Sequence, residues 1–531
     1  MANPTMPDRA VEAVLPALTN RLTTMVQHLT AWLAQATPDL QQLEEQVLRA
    51  LKELGGALLV GLAQQLVPPT PPPTHPCPCG ATAAFERLRP ATCRTVLGPL
   101  TITRPYYLCA TCHHGVAPFD QHLGWCAGSR SAGLDELLAL LGATQDSFAE
   151  AASVLARLTY VQVASNTVRA ATEDLGAVLA AHEHAQVAVL QTDDLPPDAA
   201  GAAPAPLCVS LDGVQAHLTP EGWKEVCVGA VYQVRPCRPS PQRRVDAVQA
   251  EAITYVAELG SQREAFGWQL YAEAQRRGAD GGKVVVVGDG AAWVWTLADL
   301  HFPQATQILD WFHATEYVWS AATAIWGEGT SARTAWAEQQ LDALWDGRVG
   351  DVLLALARQT AAGGAVSSAH TYFTNQQGRM NYPAYRARGL PLGSGTVESG
   401  CKQLVTSRLK GAGMIWGAEG ARQVVKVRAW LKGGRWAEAM ALRRMPQRRS
   451  RTCRSAPTQP APDRVATQAP AAAPDGVAPP RTGLPSAVLA QIRSELAKSP
   501  AMHPWRRPWS RRQQRQVGAA PALQPALVSS A

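Results

Sequence analysis

The sequence predicts a mixed α/β domain over residues 207–432. Three observations predict it. Apolar strand-like runs begin at Leu207, where "LCVSLDGV" is followed by "EVCVGAVYQV" and "RRVDAVQAE". A strongly apolar central strand, "KVVVVGDG" (283–290), comes after a helix expected over 252–277. A further strand, "TQILDWF", covers 306–312. Three strands, then helix, strand, helix, strand, is the order of a mixed sheet covered by helices. Residues 313–363 are expected to be mostly helical, and 395–432 to form one or two helices.

In front of this domain the pattern divides the chain further. Residues 1–67 form a helical region, with Leu15, Leu18, Leu22, Met25, Leu29 and Leu33 at helical spacing and a second stretch from Leu40 to Leu66. These helices bury an apolar face on the chain itself or on a second copy. "PPTPPPT" (68–74) cannot continue a helix and opens a cysteine-bearing module over 68–127, with strand-like segments around Gly98-Pro99. Residues 128–184 read as helical. A linker over 185–206 contains "LPPDAAGAAPAP". Residues 445–531, rich in Ala, Pro, Arg and Gln, are expected to be largely disordered apart from a short helix near 485–497.

Composition sets the class. Apolar residues make up 46% of the 531 and charged residues 17%, which suits packed cores. No uncharged apolar run reaches membrane-spanning length, and no basic segment followed by an apolar one opens the chain, so a cytoplasmic, reducing compartment is expected. There the 11 cysteines read as metal ligands and buried thiols rather than disulfides. The net charge of +7 is uneven: 15 basic and 3 acidic residues lie from Arg443 onward, leaving 34 and 39 for the rest. Such a tail suits loose contact with phosphate backbones as well as it suits a solvated extension.

The chemistry lies in acids. Asp212 follows "LCVSL" and Asp289 follows "KVVVV", so both sit at the C-terminal ends of buried strands. Ligands and catalytic groups gather there in open α/β sheets. Two carboxylates side by side repel unless a cation lies between them, and oxygen-only ligation suits Mg²⁺ or Mn²⁺. A third acid, Glu398, lies in "GLPLGSGTVESGCKQL" (389–404), on a helix opened by glycines. Together the three would complete a two-metal site. Taken singly, each Asp is equally a turn residue before Gly, and Glu398 an i, i+4 partner of Lys402. Asp310 ends "TQIL" and competes with Asp289 as second metal ligand; the longer apolar run favours Asp289. Trp293, Trp295, Trp311 and Trp319 are expected in the core rather than as base-stacking platforms.

Over roughly residues 77–432 the chain resembles the ISKra group of bacterial insertion-sequence transposases and, more distantly, Mutator-type and hAT-type enzymes. The resemblance rests on "CPCG" (77–80), "RPYYLCATC" (104–112), "APFDQHLG" (117–124), "VSLDG" (209–213), "VVVGDGAAWVW" (285–295), "ILDWFH" (308–313), "GSGTVESGCKQL" (393–404) and "GMIWGAEGARQVVKVRAW" (413–430). It implies an RNase H-like catalytic core with a helical insertion over about 314–390, and Asp212, Asp289 and Glu398 as the metal-holding acids. It also gives Asp310 and His313 the place of a pair contacting the metal site or a DNA strand.

Accessory modules follow from spacing. Cys77, Cys79, Cys109 and Cys112 form two pairs, 29 residues apart, that suit structural Zn²⁺ in a zinc-ribbon-like module. The first pair is one residue tight, so His75 or His113 competes as a ligand, and four metal-free thiols are the plain alternative. Arg94 and Arg104 are candidate DNA contacts. Residues 147–169 resemble a helix-turn-helix, with Ser147 and Ser165 as caps and Asn166, Thr167 and Arg169 facing a major groove; an ordinary α-hairpin is the alternative. Lys402, Arg408, Lys410, Arg422, Lys426 and Arg428 suit a phosphate-contacting surface or a solvated basic helix. The expected function is a DNA transposase acting in the bacterial cytoplasm, at the nucleoid, as a homo-oligomer on terminal inverted repeats and target DNA. The competing readings are an RNase H-like nuclease without strand transfer and a domesticated DNA-binding protein.

Overall fold

The computed structural model describes residues 6–125, 128–191, 206–237, 248–279, 283–359 and 363–444. The expected tail over 445–531, with its short helix, lies outside the described residues. Two compact units emerge, one of residues up to His182 together with the segment from Arg435, the other of Glu183–Gly434.

The first unit begins with two long helices, α1 (Met6–Gln35) and α2 (Leu40–Gln65). Asp39 accepts from the Gln42 N–H (2.8 Å) while the Gln42 side chain accepts from the Asp39 N–H (3.2 Å), closing a capping box that starts α2. Strands β1 (Thr74–Pro76), β2 (Thr82–Thr95), β3 (Gly98–Cys109) and β4 (Gly115–Val116) follow as an antiparallel sheet in chain order. Ala63 of α2 packs with Ala91, Cys93, Leu100, Ile102 and Trp125, and with Phe119 of α3 (Pro118–His122). Helices α4 (Ala132–Thr144), α5 (Phe148–Thr159) and α6 (Ser165–Gln191) follow, and Leu134, Leu138, Ala151, Leu155, Val168 and Ala171 join them in one core. Because α6 continues to Gln191, the linker expected from 185 starts later: Ala, Gln and Leu after Glu183 sustain a helix.

The second unit is built on a five-stranded sheet. It holds β5 (Leu207–Leu218), β6 (Gly222–Pro236), β7 (Val248–Leu259), β8 (Val284–Gly288) and β9 (Thr306–Leu309) in the order β7-β6-β5-β8-β9. β5, β6 and β7 are antiparallel neighbours, whereas β5, β8 and β9 run parallel. All of β8 is buried, as a near-unbroken valine run at the centre of a covered sheet requires. Helices α7 (Arg263–Arg276) and α8 (Ala292–His301) connect the strands.

Two boundaries differ from the expectation. The helix expected over 252–277 is strand as far as Leu259, because β-branched Thr254 and Val256 pair with Val231 and Gly229 of β6. β9 stops at Leu309, since Asp310 caps the helix that takes up Trp311 and Phe312.

After β9 come α9 (Trp311–Trp326), α10 (Ser331–Trp345), α11 (Val349–Ala357), α12 (Gly364–Gln376) and α13 (Tyr382–Ala387). They occupy the place of the expected helical insertion. Then α14 (Gly395–Gly400) leads through a wide π-helical turn (Cys401–Thr406) into α15 (Ser407–Leu409) and α16 (Ala418–Lys432). The last described helix, α17 (Trp436–Arg444), belongs to the first unit, where Arg443 pairs with Asp135 (2.6 Å). No helix of the described residues is long and apolar enough to cross a membrane.

Candidate functional site: a row of acids at the sheet edge

Register assembles the site. In the parallel β5–β8 ladder Leu211 pairs with Gly288, and in β8–β9 Gly288 pairs with Leu309. One residue further along stand Asp212, Asp289 and Asp310, three acids in one row. β8 and β9 stop just before their acids, but β5 runs on to Leu218, so Asp212 lies within its strand and not at the expected C-terminal end, because residues 213–218 go on pairing with β6. Neighbouring strands lie about 4.8 Å apart, so adjacent members of the row feel each other's charge. Burial, and then the charge of Asp289, raise the Asp212 carboxyl to about 7, against stabilisation by the Gly213 N–H.

The three acids are not equivalent. Asp310 is fully buried, and its carboxylate is fully engaged. One oxygen accepts from the N–H groups of Phe312 (2.6 Å) and His313 (3.2 Å) at the start of α9. The other accepts from the Ser394 N–H (2.6 Å) and hydroxyl and lies 3.3 Å from His313 Nδ1. With these donors Asp310 stays ionised below the usual carboxylate range despite its burial. Burial opposes the His313 charge, but the bond to Asp310 and the charges of Asp310, Asp289 and Glu316 raise it to about 9. Asp212 and Asp289 are only partly buried. Asp310 thus uses both oxygens to hold α9 and the segment before α14, yet with His313 and Glu398 it also forms a group that could hold a metal ion, so Asp310 stands beside Asp289 as a candidate ligand.

Glu398 arrives on α14. Ser394, just ahead of that helix, donates to Asp310 and lies 3.4 Å from Glu398 Oε1. The ligand atoms of Asp310, His313 and Glu398 all lie within 4.8 Å of one another. Asp212 and Asp289 are not in that tight group, so the expected trio of Asp212, Asp289 and Glu398 does not form one close cluster. It is linked instead. One turn after Glu398, the Cys401 thiol donates to Asp212 Oδ2 (3.5 Å), which sets α14 against the middle of β5. On the other side α12 grips the turn after β8: Tyr372 donates to the Asp289 carbonyl (2.8 Å) and Gln376 to that of Gly290 (3.1 Å). Gly290 has φ +96°, and a Cβ there would meet the Tyr372 ring at 2.6 Å, so only glycine fits. Ser394, Cys401 and Tyr372 were missed by the sequence reading. Ser394 and Cys401 lie i−4 and i+3 from Glu398, a spacing that helix geometry makes visible.

The basic residues after Glu398 divide. Lys402 and Lys410 are exposed. Arg408, expected to contact DNA, is 2% exposed and stacks over Trp416 at 4.8 Å, so it supports packing. Lys426 and Arg428 are also buried. Lys426 Nζ sits 2.5 Å from Glu183 and 3.1 Å from Glu258; Arg428 donates to the Gln403 and Leu404 carbonyls and to Ser407. Arg422 is tied to Glu419 at 3.1 Å. For Lys426 and Arg428 these acids and carbonyls lie far off in the chain, invisible in the local pattern. Trp293, Trp295 and Trp311 are buried as expected, and Trp319 is half-buried under Arg333.

The first unit holds a second cluster. The Sγ atoms of Cys77, Cys79, Cys109 and Cys112 all lie within 4.8 Å of one another. Cys77–Cys112 and Cys79–Cys109 are 3.5 and 3.7 Å apart, close to the roughly 3.8 Å edge of a tetrahedron with Zn–S near 2.3 Å. Two turns present them. Gly80 donates to the Cys77 carbonyl (2.9 Å) and adopts φ +87°; His113 donates to the Cys109 carbonyl (2.9 Å) with φ +56°. Without a metal the thiols share their charge unevenly: backbone N–H groups of Cys112 and Thr111 lower Cys109 to about 6, whereas, against the Cys79 N–H, burial and the neighbouring thiols push Cys77 up to about 12. This four-cysteine cluster could hold a zinc ion without either histidine. In the same module Arg104 is buried against Asp120 (2.7 Å) and serves the fold, while Arg94 is exposed.

At the helical segment, Ser147 caps α5 by accepting from the Glu150 N–H (3.0 Å). Tyr160 ends α5 in a left-handed conformation, and α6 starts at Ser165 itself, with the Ala164 carbonyl accepting from Thr167 (2.8 Å). Ser165 is thus the first helical residue rather than the residue ahead of it. Asn166 and Arg169 are exposed and Thr167 is half-buried, while Val168 faces the core.

A scan against protein-family models finds no match to this chain, and a search of curated proteins finds no significant similarity.

Proposed function

We propose that this chain is a DDE-type DNA transposase, akin to the ISKra group. Asp212, Asp289 and Glu398 would hold Mg²⁺ or Mn²⁺ at the end of an RNase H-like sheet. One observation carries the reading: the β5–β8 register sets Asp212 and Asp289 side by side, partly exposed, where β8 ends against the middle of β5. Like charges so placed, with all-oxygen donors, suit a hard divalent cation. Such cations activate a water or 3′-hydroxyl and stabilise the leaving oxygen. The strand order, with three antiparallel strands followed by two parallel ones and helices inserted before α14, supports the RNase H-like core.

In this reading Asp310 and Ser394 fix the helix that carries Glu398. His313, charged beside the acids, would hold a phosphate oxygen. Asn166, Thr167 and Arg169 would read the element's ends, with Lys402 and Lys410 on the backbone beside the acids. Zinc in the four-cysteine cluster would stabilise the module that precedes them.

The test uses the full chain, DNA carrying the inverted repeats that flank its gene, and Mn²⁺. Asp212→Asn should lower end cleavage about 1,000-fold while end binding stays within about threefold. Cleavage by the variant at the parent rate would overturn the site. Cleaved ends that never join a target would favour a nuclease without strand transfer.

A further inference from the structure

The described residues expose 22 large apolar side chains, and 11 of these lie between Leu15 and Leu66. They are not scattered. On α1, Leu15, Leu22, Val26 and Leu33 follow one another at steps of 7, 4 and 7. On α2, Leu40, Val47, Leu51, Leu58 and Leu62 repeat the same steps and add one more 4. At about 100° per residue each set falls on one narrow line, and the α1 line runs about 27 Å.

Neither line is the seam between the two helices. That seam uses other residues, as at Val14, which would lie 3.1 Å from a Cβ on Gly61. This contact joins the start of α1 to the end of α2, so the pair is antiparallel. On each helix the exposed line lies roughly a quarter-turn from the seam, in the same rotational sense. In an antiparallel pair that places both lines on one side, as a single two-helix face.

The face makes little polar demand. Between Leu15 and Leu33 the one Lys, Arg, Asp or Glu is Arg21, about a third of a turn off the line. Thr19 and Thr30, on the line, spend their hydroxyls on the Leu15 and Val26 carbonyls (both 2.9 Å) and present methyl groups. Glu44 is the one charge along the α2 line.

We infer that this face pairs with the same face of a second copy of the chain. Two observations select a copy over an unrelated partner. Each line is apolar and nearly free of charge, so a two-fold axis can bring the face against its own copy without opposing like charges. A surface of this kind is self-complementary, as an isologous contact requires. Its extent also suits a dimer: standard interfaces use roughly 20–30 residues a side, which one side of two helices of 30 and 26 residues approaches. A monomer's largest apolar patch is usually a few hundred Å². The inference does not depend on the nuclease assignment.

The test measures the mass of the full 56.7 kDa chain by light scattering at micromolar concentration. The parent should be a dimer or a multiple of one. The doubly charged variant Leu22→Glu/Leu51→Glu should be a monomer, with the parent's circular dichroism and melting midpoint. Should that variant lose its fold, the milder Leu22→Gln/Leu51→Gln, with native circular dichroism, should weaken association at least tenfold. A monomeric parent, or folded variants that associate as the parent does, would overturn the inference.

Discussion

The four-cysteine cluster and the row of acids are built in opposite ways. The cysteines come from two turns of one small sheet, and the longest of their cross-contacts, Cys77 to Cys112, spans 35 residues. Each turn supplies its own N–H donors, so the site is nearly complete wherever β2 and β3 pair. The acids come from β5, β8, the start of α9 and α14. Their linking contacts span 84 residues (Asp310 to Ser394) and 189 residues (Asp212 to Cys401). A local site can tie its function to its own folding. The acid row instead depends on a sheet and an inserted helical segment already in place, and its charges oppose the fold that carries them.

That contrast can be broken by substitution. The largest effect is expected at the cysteines. Cys109→Ser/Cys112→Ser should abolish zinc binding, measured by elemental analysis, and unfold the β1–β4 module, since structural zinc contributes on the order of 10 kcal/mol. A metal-free protein with an unchanged melt would remove the distinction. The acid row should behave in reverse. In Asp212→Asn a repelled charge disappears, so without added metal the melting midpoint should stay level or rise even as cleavage is lost; a clear fall would mean that Asp212 serves the fold.

Ser394→Ala tests the link between the two halves of the acid site. It removes one of the donors on Asp310, so activity should drop about 10- to 100-fold, and Ser394→Thr should recover part of it. Unchanged turnover over a Mn²⁺ titration would count against a positioning role for Ser394. The smallest effect is expected at His113. Glycine there relieves a left-handed conformation but frees the unfolded chain, for a net change within about 1 kcal/mol. Zinc content should be unchanged; its loss would make His113 a ligand after all.

Much of this was legible in the sequence, and the exceptions share a cause. The valine run of β8 declared a covered central strand, and the apolar ends at Leu211 and Gly288 marked the acids that follow. The paired cysteines declared their cluster because proximity in the chain is proximity in the turn. The segment 252–259 misled because "ITYVAEL" is a short apolar run that suits helix or strand equally until β6 is there to pair with it. Arg408, Lys426 and Arg428 misled because a basic helix face looks solvated until its partners are known, and those are Trp416, Glu183, Glu258 and carbonyls of the preceding helical turn. The partner of Asp310 was equally hidden: nothing near it in the chain shows that Ser394, 84 residues on, donates to its second oxygen. Local chemistry was readable; the occupancy of a lone pair by a distant donor was not.

The 189-residue reach from Asp212 to Cys401 sets an order in time. A ribosome delivers all four cysteines within the first 112 residues, whereas the helix bearing Glu398 follows only after the whole inserted helical segment. A nascent or prematurely terminated chain can thus carry a finished thiolate cluster and still lack one wall of the acid row. Partial products of translation would carry the cysteine cluster without the helix that brings Glu398 to the acids.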